Sequence, residues 1–454
     1  MTSGQSVTEI LASKVVALRP DAIPPTVRAR AEQLLIDVVG LCVAARGTDY
    51  VRALIDASDA GGGCTAIGHA ATYDAGTAAL INGAAAHGEN FDDTFEGGPV
   101  HSSAVVVPAV LAACERFGRD GRAALAGIAA GVEATCRLSM VIPKAIHKAG
   151  FHPTSVLGTV GAALAASKAM GLDRRQTVDA LGIAGSMAGG IIEYLAEGAW
   201  TKRMHPGWAA QAGLTAARFG QTGFLGPRTV LEGSHGLFHG FARSVEGDYG
   251  VLTNGFGEKW FMDGITFKPY ATGTMNQPYV DCALRLAKRG IRAEDVSEVL
   301  CETAEGYVHR LWEPLASKHR PANAYAAKFS TPFNIAVAFV TGGAGLSAFT
   351  EETARDERIL ALASKVRYVV DPKNPYPKAY TGHVRMTLKN GQVVEERQPH
   401  IRGGAHEPLT RAEIEEKFRG NCRYGSWTQE KSEGFLIAVP KLFDGPLDLA
   451  PLRG

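Results

Sequence analysis

Apolar residues recur at three- and four-residue spacing through most of the first 265 positions. Val27, Ala31, Leu34, Leu35 and Val38 form one such stripe, the signature of a helix that buries one face. The same pattern predicts helices near 75–87, 103–116, 122–140, 155–170, 176–197 and 207–219. Ser6 and Glu9 stand at capping-box spacing ahead of another helix. Many of these segments are dense in Ala and Gly, which let helix backbones approach closely. They carry too few polar residues to wet a full face, so they are expected to be buried on most sides in a large all-helical domain with subunit contacts.

The texture changes near Lys268. Val296 to Thr303 alternates like a strand, Thr331 to Val340 reads as a buried helix, and Val366 to Val370 and His383 to Leu388 are strand-like. Asn390-Gly391 is a hairpin signal ahead of a further strand, Val393 to Arg397. From Thr410 to Phe418 the helical period returns. The order predicts a mainly α protein: a large helical domain over 1–266, rejoined by 401–454, and a smaller α+β domain over 267–400. At 454 residues, two domains are the ordinary outcome.

Composition narrows the classes of function. A formal net charge of +1 with 20% charged residues predicts no global attraction to nucleic acid or membrane. Seven scattered cysteines, with no CxxC pair, read as reduced intracellular thiols. The first twelve residues lack the basic start and apolar run of a signal peptide. The most apolar stretch, Ala104 to Cys114, is too short to span a bilayer. A cytosolic protein is expected.

Four segments crowd polar residues, Gly and Pro between apolar helices, as active-site loops do. They are Asn90-Phe91-Asp92-Asp93-Thr94 with the following Pro99-Val100-His101-Ser102, Gly150 to Thr154 around His152, Thr201 to Gly207 around Lys202, Arg203 and His205, and Phe267-Lys268-Pro269-Tyr270. Together they supply carboxylates, histidines, two lysines and an arginine, an inventory suited to acid/base chemistry on an anion. No GxGxxG follows a strand, and His147 and His152 lie far in sequence from the Asp pair. Neither a nicotinamide cofactor nor a metal is therefore expected.

The strings FDDT…VHSSAVVVPA, GFHPTSVLG, TKRMHPGWAAQAG, GPRTVLEGSHGLF, FKPYATG and KFSTPFNIAVAF resemble the successive motifs of the MmgE/PrpD family, in order, over nearly the whole chain. That family includes 2-methylcitrate dehydratase, cis-aconitate decarboxylase and iminodisuccinate epimerase. The resemblance implies a helical domain with a smaller α+β lid domain, a homodimer, a small di- or tricarboxylate substrate, and no organic cofactor or required metal. It implies a lyase that works through a carbanion beside a carboxylate. An epimerase and a catalytically silent carboxylate-binding homolog are the alternatives.

By resemblance, Thr94, His101, His152, Lys202 and Lys268 occupy the family's active-site positions. His101 is expected to be the principal acid/base, its ordinary pKa lying near neutrality. Lys202 and Lys268 are expected to bind carboxylate and stabilise charge. His152 is either a substrate ligand or a loop-fixing hydrogen bonder. Arg203 either clamps a carboxylate or pairs with Asp92/Asp93, of which one is expected to cap a helix and the other to orient a cation. Asn90, Asp93, Thr94, Arg203, Tyr270 and Phe333 form the expected substrate-binding set. His205 is expected to be structural, beside a helix start at Pro206-Gly207, as is the loop holding Glu232 and His235. Two positions depart from the family pattern: Asn90, where many decarboxylase-like members carry Asp, and Phe333, where many carry Tyr. Both argue against carrying over cis-aconitate decarboxylation in particular.

Overall fold

The computed structural model describes residues 4–197 and 199–454. The fold is mainly α and divides into two compact units, one running through Ile265 and resuming over Ile414–Gly454, the other spanning Thr266–Glu413. Residues 401–413 thus belong to the second unit rather than to the rejoining tail. Local bonding holds them there: the Phe267 N–H donates to the Gly403 carbonyl (3.1 Å), and the Gln398 amide donates to Glu407 (2.7 Å).

The first unit is built on helices α1 (Val7–Ala17), α2 (Pro25–Ala45), α3 (Asp49–Asp56), α4 (Ala75–Gly88), α5 (Ser103–Phe117), α6 (Gly121–Val141), α7 (Pro153–Met170), α8 (Arg174–Met187) and α9 (Thr201–Gln221). The Ser6/Glu9 capping box opens α1, and the predicted stripe of α2 is fully buried. Helix α9 packs on α4 and α7, and α7 packs on α6. Small residues set these distances. A Cβ on Gly83 would lie 2.7 Å from the Gly207 Cα, and one on Gly207 would lie 2.1 Å from the Leu80 carbonyl oxygen. Only glycine at both positions lets α4 and α9 cross this closely, and the crossing brings the start of α9 against the end of α4. Helix α6 is long and apolar enough to cross a membrane by length and composition, yet 94% of that stretch is buried. All seven cysteines are buried free thiols.

Two expectations about this unit are corrected. The helix expected over 176–197 stops at Met187, because Gly189-Gly190 breaks it; Gly190 has φ +116°, and its carbonyl accepts the His152 N–H (2.8 Å). The helix expected from 207 begins at Thr201, so Lys202, Arg203 and His205 lie on a helix rather than in a loop. Pro206 sits inside it, costing the single bond its nitrogen would have donated to the Lys202 carbonyl.

In the second unit, β1 (Val296–Thr303), β2 (Val366–Val370), β3 (Gly382–Leu388) and β4 (Val393–Gln398) form a sheet of order β2-β1-β3-β4. β1 and β2 are parallel, and the other neighbours are antiparallel. Gly391, at φ +84°, turns the β3–β4 hairpin. Helix α10 (Gln277–Ala287) covers β3 and β4, and α11 (Thr331–Thr341) packs on α10. Helix α12 (Arg411–Tyr424) carries the chain back to the first unit, followed by α13 (Gln429–Leu442).

Candidate active site

Helix α4 ends at Gly88, and the chain turns through Asn90 in the left-handed region (φ +54°), a conformation Asn tolerates better than most side chains. The turn brings Asp92 back under the last turn of α4. There the fully buried His87 ring places Nδ1 2.6 Å from Asp92 Oδ2. From the facing helix α9, Lys202 Nζ reaches His87 Nε2 (2.9 Å) and donates to Asn90 Oδ1 (2.6 Å). An ammonium only donates, so Nε2 accepts, and the His87 proton sits on Nδ1 facing the carboxylate.

His101 arrives on the turn after Phe95, whose N–H donates to the Val100 carbonyl (3.0 Å). Its own N–H donates to Thr154 Oγ1 (3.2 Å). Its Nδ1 lies 2.6 Å from the Asp93 carbonyl oxygen and 3.4 Å from Asp92 Oδ2. A carbonyl only accepts, so Nδ1 carries the proton, and in the neutral ring Nε2 holds the lone pair. That is the arrangement of a base that is oriented from behind. The His87 and His101 rings meet edge to face at 4.8 Å.

His152 caps α7 ahead of Pro153, its ring centroid 5.7 Å from that of His87. Its Nδ1 lies 3.2 Å from His205 Nδ1, so one of the two rings must donate. Burial, then the charge of Lys202, holds His152 well below the usual histidine range and His205 down at about 4. Both rings are neutral near pH 7.

The two neighbouring aspartates have different work. Asp93 is buried at the start of α5, where Oδ1 accepts from the Ser103 N–H (3.2 Å) and hydroxyl, and Oδ2 accepts from the Ser102 hydroxyl (3.2 Å). Burial, then the charge of Asp92, pushes its carboxyl up to about 7 against the hydrogen bonds from Ser103. Asp93 was expected in the substrate-binding set; its carboxylate is spent on the helix, and Asp92 is the one that meets the histidines.

Arg203 was given two alternatives, and its guanidinium lies over the Tyr50 ring at 4.6 Å. Thr94 is buried between Asp93 and Phe95. In the second unit Lys268 is buried. The Tyr270 hydroxyl donates to Asp281 Oδ1 (2.6 Å), and burial raises that acid to about 6. The fully buried Phe333 ring packs in the first turn of α11, 6.3 Å from Phe349. Glu232 accepts the Val7 N–H (2.9 Å) and so helps cap α1.

Ligand atoms of His87, Asp92 and His101 come within 4.8 Å of one another, close enough to converge on a cation. The two imidazole protons point at Asp92 and at the Asp93 carbonyl, and the His87 lone pair is taken by Lys202. These contacts suit a network that moves and holds protons better than a metal centre.

The N-terminal domain of the MmgE/PrpD family matches residues 9–248 and its C-terminal domain matches residues 270–440. The chain belongs to the MmgE/PrpD family. Its similar proteins include the cis-aconitate decarboxylase of Homo sapiens, 30% identical over 80% of this chain and 76% of that protein. The enzyme of the same name from Mus musculus is 26% identical, covering 97% and 91% of the two chains. That of Aspergillus terreus is 28% identical, covering 96% and 92%. In this MmgE/PrpD member, sequence reasoning passed over His87. It lies in an Ala-rich helix without a polar neighbour until Glu89, and its one signal is the return of an aspartate five residues later.

Proposed function

We propose that the protein is a lyase that acts on a small polycarboxylic acid through carbanion chemistry, without an organic cofactor or required metal. The observation that carries this reading is the convergence of Lys202, His87, Asp92 and His101, linked in turn at 2.9, 2.6 and 3.4 Å. A proton beside a carboxylate is weakly acidic because its removal leaves a dianionic intermediate. Such chemistry needs a positioned base and a fixed positive charge, and charge stabilisation is usually the larger contribution. In dehydration His101 Nε2 takes the α-proton as base, and in decarboxylation the protonated His101 gives its Nε2 proton to the carbanion left when CO2 departs. The Lys202 ammonium lies against the developing charge.

Decarboxylation is assayed beside dehydration, since the relatives named above carry out the former on cis-aconitate while Asn90 and Phe333 count against carrying over that substrate in particular. Asn90 supports a site that retains full positive charge: its amide oxygen accepts from Lys202 but adds no negative charge. Incubation with cis-aconitate, citrate, 2-methylcitrate and N-substituted aspartates, followed by proton NMR in D2O, tests the reading. Loss of a carboxylate carbon or a new vinyl signal supports a lyase. Deuterium entering an α-position without loss of substrate indicates an epimerase. Tight binding with neither outcome indicates a silent homolog.

We also propose a homodimer. Trp208 and Phe219 lie eleven residues apart on α9, hence on one face, and both are exposed, as are Phe224 and Leu225 just beyond it. Light scattering of the wild type and of Trp208→Glu/Phe219→Glu tests this; a monomeric wild type at micromolar concentration removes the proposal.

A further inference from the structure

His87 is fully buried, so whatever it does it does through another group. Both its ring nitrogens are engaged, and in one polarity only. Lys202 donates to Nε2 at 2.9 Å, and Nδ1–H points at Asp92 Oδ2 at 2.6 Å. A carboxylate behind an imidazole makes its far nitrogen a stronger acceptor, and low surrounding dielectric strengthens each link. The Asn90 carbonyl takes a second ammonium proton at 2.6 Å. The same Asp92 oxygen lies 3.4 Å from His101 Nδ1, whose proton goes to the Asp93 carbonyl at 2.6 Å, so the carboxylate backs His87 directly and acts on His101 through its charge.

We propose that His87, backed by Asp92, is a positioning residue that holds the Lys202 ammonium at a fixed point and in its protonated form. The catalytic meaning of this rests on the role given to Lys202 above, but the contact itself can be tested without substrate. The charged and titratable groups described around Lys202 are His87 and, behind it, Asp92; His101; His152 at the start of α7; and His205 and Arg203 on its own helix. The neutral His152 and His205 rings contribute no charge near pH 7, and the Arg203 guanidinium lies over the Tyr50 ring. His87 and Asn90 accept from the Lys202 ammonium at 2.9 and 2.6 Å and favour the charged form.

The experiment is competitive acetylation of lysines by acetic anhydride across pH, read by peptide mass spectrometry. It uses the full-length wild type, His87→Leu and His87→Gln, with the exposed Lys441 as internal reference. Loss of an acceptor on a charged donor lowers the donor's pKa, so Lys202 in His87→Leu is expected to titrate about one pH unit lower or more. The glutamine amide oxygen still accepts, and His87→Gln is expected to recover at least half of that shift. Asp92→Asn, which no longer fixes the imidazole proton on Nδ1, is expected to fall between and serves if His87→Leu does not fold. The same Lys202 titration in every folded variant would overturn the proposal, as would His87→Gln falling as low as His87→Leu. No substrate is added, so a failure here is distinct from a failure of the polycarboxylate reading, which shows as absent turnover.

Discussion

Lys417→Met probes how the returning C-terminal segment holds the Asn90–Asp93 turn. Lys417 Nζ, on α12, lies 2.7 Å from Asp37 Oδ1 on α2, donates to the Phe91 carbonyl (2.7 Å), and stands 4.1 Å above the Phe91 ring. The two side chains are 5% and 1% exposed. Removing the lysine leaves a carboxylate buried without this counter-charge, which costs about 3–5 kcal/mol when one partner of such a pair is deleted. Replacing both partners with apolar residues, as in Asp37→Leu/Lys417→Met, removes the stranded charge. Only the loss at the Phe91 carbonyl and imperfect packing then remain, about 1–2 kcal/mol. Urea unfolding of the two singles and the double gives the coupling, expected to exceed about 2 kcal/mol. Phe91 lies between Asn90 and Asp92, so turnover is expected to fall about ten- to a hundredfold even in the stable double variant, up to the loss that an ångström of misplacement causes. A single variant less than about 1 kcal/mol down, or a double no better than the single, would refute the reasoning.

Further outcomes follow from the same geometry. His101→Gln is expected to lower kcat by about two to four decades in a folded protein, measured as steady-state turnover; near-wild-type rates would remove His101 from its role. Asp93, raised to about 7 from 3.8, stabilises the fold fully below pH 3.8, and that contribution is lost as pH rises through about 7. His152 and His205, lowered from 6.5, act in the opposite sense: their contribution is full above 6.5 and, for His205, is lost as pH falls through about 4. Asp93→Asn therefore leaves the histidine dependence unopposed. Its stability in urea is expected to fall on the order of 2 kcal/mol further than wild type between pH 6.5 and 4.5; parallel curves would contradict this. Gly83→Ala, whose Cβ would meet Gly207 at 2.7 Å, is expected to cost about 1–3 kcal/mol by overpacking and to lower turnover by moving α9 off α4. A thermal melt and a rate measurement check it together. From the resemblance alone, Lys268→Ala is expected to raise KM for a carboxylate substrate, and unchanged kinetics would return it to a structural role.

Most of the secondary structure was legible because burial follows period. The helix expected over 103–116 is Ser103–Phe117, that over 122–140 is Gly121–Val141, and the strand expected over 296–303 has those bounds. The errors arose where backbone chemistry overrides the pattern. Pro206-Gly207 resembles a helix start, yet α9 runs through the proline without its bond to the Lys202 carbonyl, and the glycine serves the crossing with α4. Gly189-Gly190 ends a helix whose apolar pattern runs on. His101, His152 and Lys202 were legible because they stand in motifs crowded with Gly and Pro. His87 was not, since an alanine-rich helix offers no polar context, and its meaning depends on a turn that folds Asp92 back beneath it. Which aspartate would cap α5 and which would face the histidines depended on that same turn.

The most direct test of the central claim is proton NMR in D2O of cis-aconitate, citrate, 2-methylcitrate and N-substituted aspartates with the wild-type protein and with His101→Gln, each with and without EDTA. The account predicts that the wild type converts at least one of these acids with loss of CO2 or another carbanion-derived change, equally fast in EDTA, and that His101→Gln is slower by at least about two decades. If the wild type neither converts any of these acids nor exchanges their protons, or needs added metal to do so, the central claim is contradicted.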